Sequence, residues 1–275
     1  MDLNYTDLLS ERVLKEKANR LCRFYALIIR MLDFRALIAR YSFIKEADAW
    51  PMLRQSVAEH AFLVAQLAAT FYSEFLEFLA DKNISVEKLE SEALHHDDAE
   101  ALTGDAATDV DRVSRFIKDS AETNSISMLL QDLACRAYRL MRYESYEAKA
   151  TYSAKIVKLL DAVELVFYTA YCVRNGAGML SRGEKEGEFV ISIFGEKRAV
   201  DERVYKEVSD YFQDANVREV SIAKIMADHS VPRLERLGCP ELVSIFKLLC
   251  EQAFEFPFEK YNLTNMPMEF SRLAQ

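Results

Sequence analysis

The chain has 275 residues, is 51% hydrophobic and 29% charged, and carries a formal net charge of −9 at neutral pH. That composition suits a globular protein with a substantial core, and no apolar run is long enough to cross a bilayer, so a soluble chain is expected. An acidic surface repels a phosphate backbone, which disfavours long nucleic acids as partners but leaves small phosphorylated ligands open.

The N-terminal stretch MDLNYTDLLSERVLKEK lacks the basic, apolar and small-residue order of a secretory signal. Five cysteines, at 22, 135, 172, 239 and 250, are odd in number and form no CxxC pair. Both features point to a reduced, cytoplasmic setting, with neither a disulfide framework nor a thiolate zinc site. Up to residue 175 the chain has one glycine, Gly104, and one proline, Pro51, so long helices should dominate and the expected class is all-α. Glycine-rich phosphate loops and dinucleotide fingerprints are absent.

In chain order, residues 5–46 place Leu9, Val13, Leu21, Phe24, Leu27 and Ile28 at helical spacing and read as one or two helices. After a short loop at Trp50 and Pro51, SVAEHAFLVAQLAATFYSEFLEFLADK reads as a central buried helix, with Ser56 and Glu59 as a capping box. DKNIS makes a turn, and VEKLESEALHHDDAEALTG is expected to stay helical to Gly104. Helices are predicted near 123–144 and 146–174, the second apolar nearly all round. Rising glycine density at 175–188 marks a loop, and EFVISIF at 188–194 reads as a short strand, leaving room for a hairpin. Helices return from about 199 to 255, broken near Pro232 and Gly238, before an irregular tail. The expected organisation is a core over 1–178 and a mostly helical extension over 179–275 packed on it.

Polar residues inside the most apolar helices carry the chemistry. His60 has Val57, Leu63, Val64 and Leu67 as helical neighbours, and Asp161 has Val157, Leu165 and Tyr168. A buried carboxylate without a partner costs several kcal/mol, so Asp161 needs one. His60 alone reads as an ordinary core histidine. The neighbouring helix changes that reading: His96 and Asp97 are adjacent, and Glu100 falls on their face of a continuous helix. Three helices then offer imidazole and carboxylate groups toward what can be one point, a mixture suited to a divalent transition ion.

This ordered set resembles the HD-domain metal-dependent phosphohydrolases, whose ligands are a histidine, a His-Asp doublet and a distant aspartate on separate helices. The resemblance assigns those roles to His60, His96, Asp97 and Asp161, separated by 36 residues from His60 to His96 and 64 from Asp97 to Asp161. Within that superfamily the chain is most similar to the bacterial 5'-deoxynucleotidases, on HDDAEALTGD, on SVAEH and on the pair Arg40 and Tyr41. The branch has tryptophan after the arginine where this chain has Tyr41, and the loop over 42–55 is longer. The resemblance covers roughly residues 20–178 and has no counterpart for the C-terminal hundred.

It implies an HD-type helical bundle holding one divalent ion (Mn, Co, Ni, Fe, Zn or Mg) and a mononuclear site, since His229 is the sole histidine beyond the cluster. The implied reaction removes the 5'-phosphate of a (deoxy)nucleoside monophosphate by attack of an activated water. Glu100 is expected to act as general acid/base, with Asp105 beside the scissile bond. Arg40 and Arg54 are candidates for phosphate contact, and Tyr41 for stacking on a base. The blander readings are an exposed helix carboxylate for Glu100, an N-cap for Asp105, surface charges for the arginines and a core aromatic for Tyr41. His95 is expected to be a helix neighbour or to lie behind the ligands, and Asp98 to be solvated or salt-bridged.

The alternatives are a deoxynucleoside triphosphohydrolase, for which Lys45, Lys155 and Lys158 supply nearby cations, a cyclic-nucleotide or oligonucleotide phosphodiesterase, or a catalytically silent HD module used for binding or regulation. Homodimerisation is compatible with the resemblance, although no interface pattern stands out.

Overall fold

The computed structural model describes residues 12–22, 57–98, 121, 124, 136–185, 187–199, 205–214 and 216–261. Among them the helices are α1 (12–22), α2 (Val57–Glu74), α3 (Leu76–Leu79), α4 (Val86–His95), α5 (Arg136–Ala148), α6 (Tyr152–Arg174), α7 (Tyr205–Tyr211), α8 (Ile222–Glu235) and α9 (Pro240–Glu255). A single 3₁₀ turn, Phe258–Tyr261, follows. None of these helices is long and apolar enough to cross a membrane. The chain divides into two compact units, Gln55–Asp161 and Met1–Arg54 together with Ala162–Gln275.

The first unit is built on α2. Leu63, Val64, Leu67, Phe71 and Phe75 are all buried, each large apolar side chain contributing about 1.5–3 kcal/mol by leaving water. Phe71 and Phe75 stack with ring centroids 4.5 Å apart. Helix α4 packs against α2, and α5 against α4. Ser85 starts α4 by accepting the Lys88 amide at 3.2 Å, which satisfies one of the donors a helix start leaves open.

The expected continuous helix to Gly104 is not what forms in the described residues: α4 ends at His95, and residues 96–98 are a turn. Histidine and aspartate are weak helix formers, and the His96 ring takes the Ala93 carbonyl at 2.6 Å, the acceptor that the next helical amide needs. The helix therefore stops where its own side chain caps it.

The second unit holds the sheet. Four antiparallel strands, β1 (Ala177–Arg182), β2 (Phe189–Ile193), β3 (Glu196–Ala199) and β4 (Glu219–Ser221), lie in the order β3-β2-β1-β4. One face buries Leu180, Phe189 and Val220 against Val208 and Phe212 of the α7 region and Ile225 of α8. Only β2 corresponds to a strand read from the sequence. The glycine-rich run taken there for a loop includes β1, because Gly178 is a bulge residue: its φ is +108°, and the β1–β2 register shifts across it. A Cβ at that position would meet Ile222 Cγ2 at 2.7 Å. Cys22, Cys172, Cys239 and Cys250 are buried thiols.

Candidate metal centre

Four side chains of the first unit converge. His60 comes from the first turn of α2, His96 and Asp97 from the turn closing α4, and Asp161 from the middle of α6. His60 Nε2 lies 3.3 Å from His96 Nε2, 3.3 Å from Asp97 Oδ2 and 3.3 Å from Asp161 Oδ1. His96 Nε2 is 3.1 Å from Asp97 Oδ2 and 4.0 Å from Asp161 Oδ1. One ligand atom each from His60, His96 and Asp97 lies within 4.8 Å of the other two. The turn at 96–98 makes the convergence local, since it aims consecutive side chains away from the helix axis.

The hydrogen bonding of His96 shows what the cluster suits. Its Nδ1 faces the Ala93 carbonyl, so in the neutral ring the proton sits on Nδ1 and Nε2 turns its lone pair toward His60. A carbonyl behind the ring is how a metal-ligating imidazole is usually oriented. With both rings unprotonated at Nε2, two ring nitrogens and two carboxylate oxygens present a set of acceptors that a cation satisfies. The donor set fits a divalent ion.

In the chain alone the electrostatics hold both carboxylates ionised and favour a proton on His96 that a metal would displace. Burial pulls the His96 imidazolium down, but the charge and hydrogen bond of Asp97, with Asp161 behind them, carry it above its ordinary value. Burial pushes Asp97 up, and the two histidines overcome it, leaving it well below the usual carboxylate range. Asp161 follows the same pattern: burial is outweighed by Lys158 and then by the two histidines. Both carboxylates are thus held ionised, the form that binds metal.

Around these four lie Tyr146, which the sequence did not single out, and Lys158, which it offered only as a nearby cation for the triphosphohydrolase alternative. Lys158, one helical turn before Asp161, bonds its Oδ2, and the Tyr146 hydroxyl approaches the same oxygen at 3.4 Å. The Tyr146 ring meets His96 edge-on at 5.3 Å between centroids and carries the Lys149 ammonium on its face at 3.3 Å. The i−3 spacing of Lys158 is legible in the sequence; Tyr146 comes from another helix and is not. His95 Nδ1 pairs with Asp98 Oδ2 at 3.2 Å, as expected of residues adjoining the ligands. Arg40, Tyr41, Arg54, Ser56, Glu100 and Asp105 lie outside the described residues.

Residues 49–184 match the HD domain family. Among curated proteins, the chain is 33% identical over 116 residues to a 5'-deoxynucleotidase of Danio rerio, covering 41% of this chain and 52% of that protein. A 5'-deoxynucleotidase of Bos taurus is 31% identical over 116 residues, 41% of this chain and 51% of that protein. One of Pectobacterium atrosepticum is 28% identical over 140 residues, 46% and 66% respectively. The chain thus spans about half the length of the first two relatives. No solved structure matches it.

Proposed function

Residues 49–184 form an HD domain, and on that premise we propose that the chain is a metal-dependent phosphohydrolase that removes the 5'-phosphate of (deoxy)nucleoside monophosphates. The observation that carries the reading is the convergence of His60, His96, Asp97 and Asp161 with the Nε2 atoms of both rings turned to one point. The names of the relatives, which are 5'-deoxynucleotidases, support the substrate class.

A divalent ion held by these residues supplies Lewis-acid polarisation of a phosphoryl oxygen and acidifies water toward neutrality. The remaining work falls to the chain. The Ala93 carbonyl fixes the tautomer and tilt of His96. Lys158 and Tyr146 converge on Asp161 Oδ2, leaving Oδ1 toward the histidines. The Lys158 ammonium also brings positive charge to the place where a phosphoryl group gains negative charge on the way to its transition state.

In this proposal Glu100 is the general acid/base, Asp105 lies at the leaving oxygen, Arg40 and Arg54 hold phosphate and Tyr41 stacks on the base.

The test is a product screen: metal-stripped protein, with Mn, Co, Mg or Zn restored, against mono- and triphosphates of ribo- and deoxynucleosides. Orthophosphate from monophosphates, lost in Glu100→Gln while metal is retained, supports the proposal. Triphosphate release moves the chain to the triphosphohydrolases, and silence with every metal leaves a binding module.

A further inference from the structure

Glu92 has no role in the reaction just proposed, yet its carboxylate is wholly buried. It sits on α4 four residues before His96 and is surrounded by donors from three helices. Ser153 of α6 donates to Oε2, and Ser145 of α5 donates to Oε1 at 3.3 Å. Arg142 Nη1 of α5 stands 3.7 Å from Oε1, and Lys88 Nζ of α4 stands 4.0 Å from it.

Each helix joined at Glu92 also delivers a group to the metal centre. Helix α4 leads into His96 and Asp97, α5 supplies Tyr146 directly after Ser145, and α6 supplies Asp161 eight residues beyond Ser153. Apart from the exposed Ser91–Tyr138 hydrogen bond at 2.7 Å and the Tyr146–Asp161 contact at 3.4 Å, these helices bury apolar side chains such as Leu89, Ala93, Ile156 and Val157, and Glu92 is the carboxylate that all three of them reach. Apolar contact is non-directional and tolerates sliding, whereas metal coordination tolerates only about 0.2 Å. Hydrogen bonds to one carboxylate are directional and fix register. A buried charge is also a poor way to gain stability, because a well-packed apolar residue serves as well or better.

We propose that Glu92 is a positioning residue for the metal centre: it locks the register of α4, α5 and α6 and thereby the spacing of His96, Asp97 and Asp161. The inference rests on the metal-centre reading above. Its action runs through the ligands, so loss of Glu92 alters how metal is held in a chain that still folds.

The experiment uses cobalt(II) and the full chain, reading binding affinity, the visible absorption of the bound ion and the unfolding midpoint. Glu92→Leu, close in size and apolar, is expected to fold, to bind cobalt(II) about 10- to 100-fold more weakly and to shift the absorption bands. Glu92→Gln, which still accepts from Ser153, should recover most of the affinity and the original spectrum. Gly178→Ala, in the other unit, serves as the control, losing stability with affinity and spectrum unchanged.

Folded Glu92→Leu with wild-type affinity and spectrum overturns the inference. If Glu92→Leu does not fold, Ser153→Ala decides: a weakened, spectrally shifted site supports the inference, and an unaltered one overturns it. No cobalt(II) on the wild-type chain overturns the metal-centre reading itself and this inference with it, a result distinct from either.

Discussion

Two acidic clusters, one on Glu92 and one on Asp97 with Asp161, adjoin at the end of α4 and are completed in opposite ways. Around Glu92 the chain supplies two hydroxyl donors and two cations, so the charge is answered from within. Around Asp97 and Asp161 the chain answers one oxygen, Asp161 Oδ2, with Lys158 and Tyr146, while Asp97 Oδ2 and Asp161 Oδ1 face two imidazole nitrogens that also face each other. Residue type is alike in the two places, but Glu92 is wholly buried while Asp97 and Asp161 keep 19% and 20% of their side chains exposed, and the balance of donors to acceptors differs. A closed balance makes a structural joint, and a surplus of converging acceptors makes a site for a cation.

The sharpest way to break the comparison is to remove one acceptor from the open cluster. Asp97→Ala should reduce metal affinity by at least about 100-fold, more than loss of a supporting group costs, and abolish metal-dependent phosphate release. The folded metal-free chain should survive, because Asp97 lies in the turn after α4 with 19% of its side chain exposed. Metal titration by calorimetry and far-ultraviolet circular dichroism check both halves. Wild-type affinity in this variant would remove Asp97 from the ligand set.

The second effect in size is that of the ion itself. A ligand bound only by the folded chain and present at 100 times its Kd stabilises by about 2.7 kcal/mol. Stripping the protein with a chelator should lower the unfolding midpoint by several degrees, and adding back ion should restore it. The same treatment of His96→Ala should move nothing. A midpoint indifferent to chelation would place the acceptor-rich cluster with Glu92, as structure.

The open cluster was legible in the sequence because buried polarity is expensive. His60 and Asp161 stand out against Leu63, Val64, Val157 and Leu160, and the His96–Asp97 doublet completes the pattern. The closed cluster was not. Glu92 reads as one more acid in VEKLESEALH, and its serine partners are 53 and 61 residues away, beyond any local spacing rule. The hairpin of β2 and β3 matches the short hairpin the sequence allowed, but β1 was missed for another reason: glycine punctuates loops and β-bulges alike, and only pairing with β2 and β4 shows which use Gly178 serves. The end of α4 failed because the helical face argument does not see a histidine ring capturing the Ala93 carbonyl.

Gly178 sharpens the comparison from the unit without the metal centre. Alanine there combines a positive φ with a Cβ 2.7 Å from Ile222 Cγ2, which should cost about 2 kcal/mol in chemical denaturation. Metal affinity should be untouched. A parallel loss of affinity would mean that stability alone explains any weakening seen at Glu92.

The smallest effect concerns Lys149, the cation that this region holds least well. Burial pushes its ammonium down to about 8, although Glu147 at 3.4 Å opposes the shift. Between about 8 and the ordinary value of 10.5 the unfolded chain therefore carries more protons than the folded one, and stability due to Lys149 rises with pH across that window. Glutamine at 149 does not titrate, and the other groups cancel when the two chains are compared. The wild type should thus gain on Lys149→Gln as pH increases from 8 to 10.5, by on the order of 1 kcal/mol, because the 24% of the side chain left in water screens the charge. A difference that stays flat, or that falls with pH, would mean that the Tyr146 face and Glu147 keep this ammonium charged as comfortably as Ser145, Ser153, Arg142 and Lys88 keep Glu92.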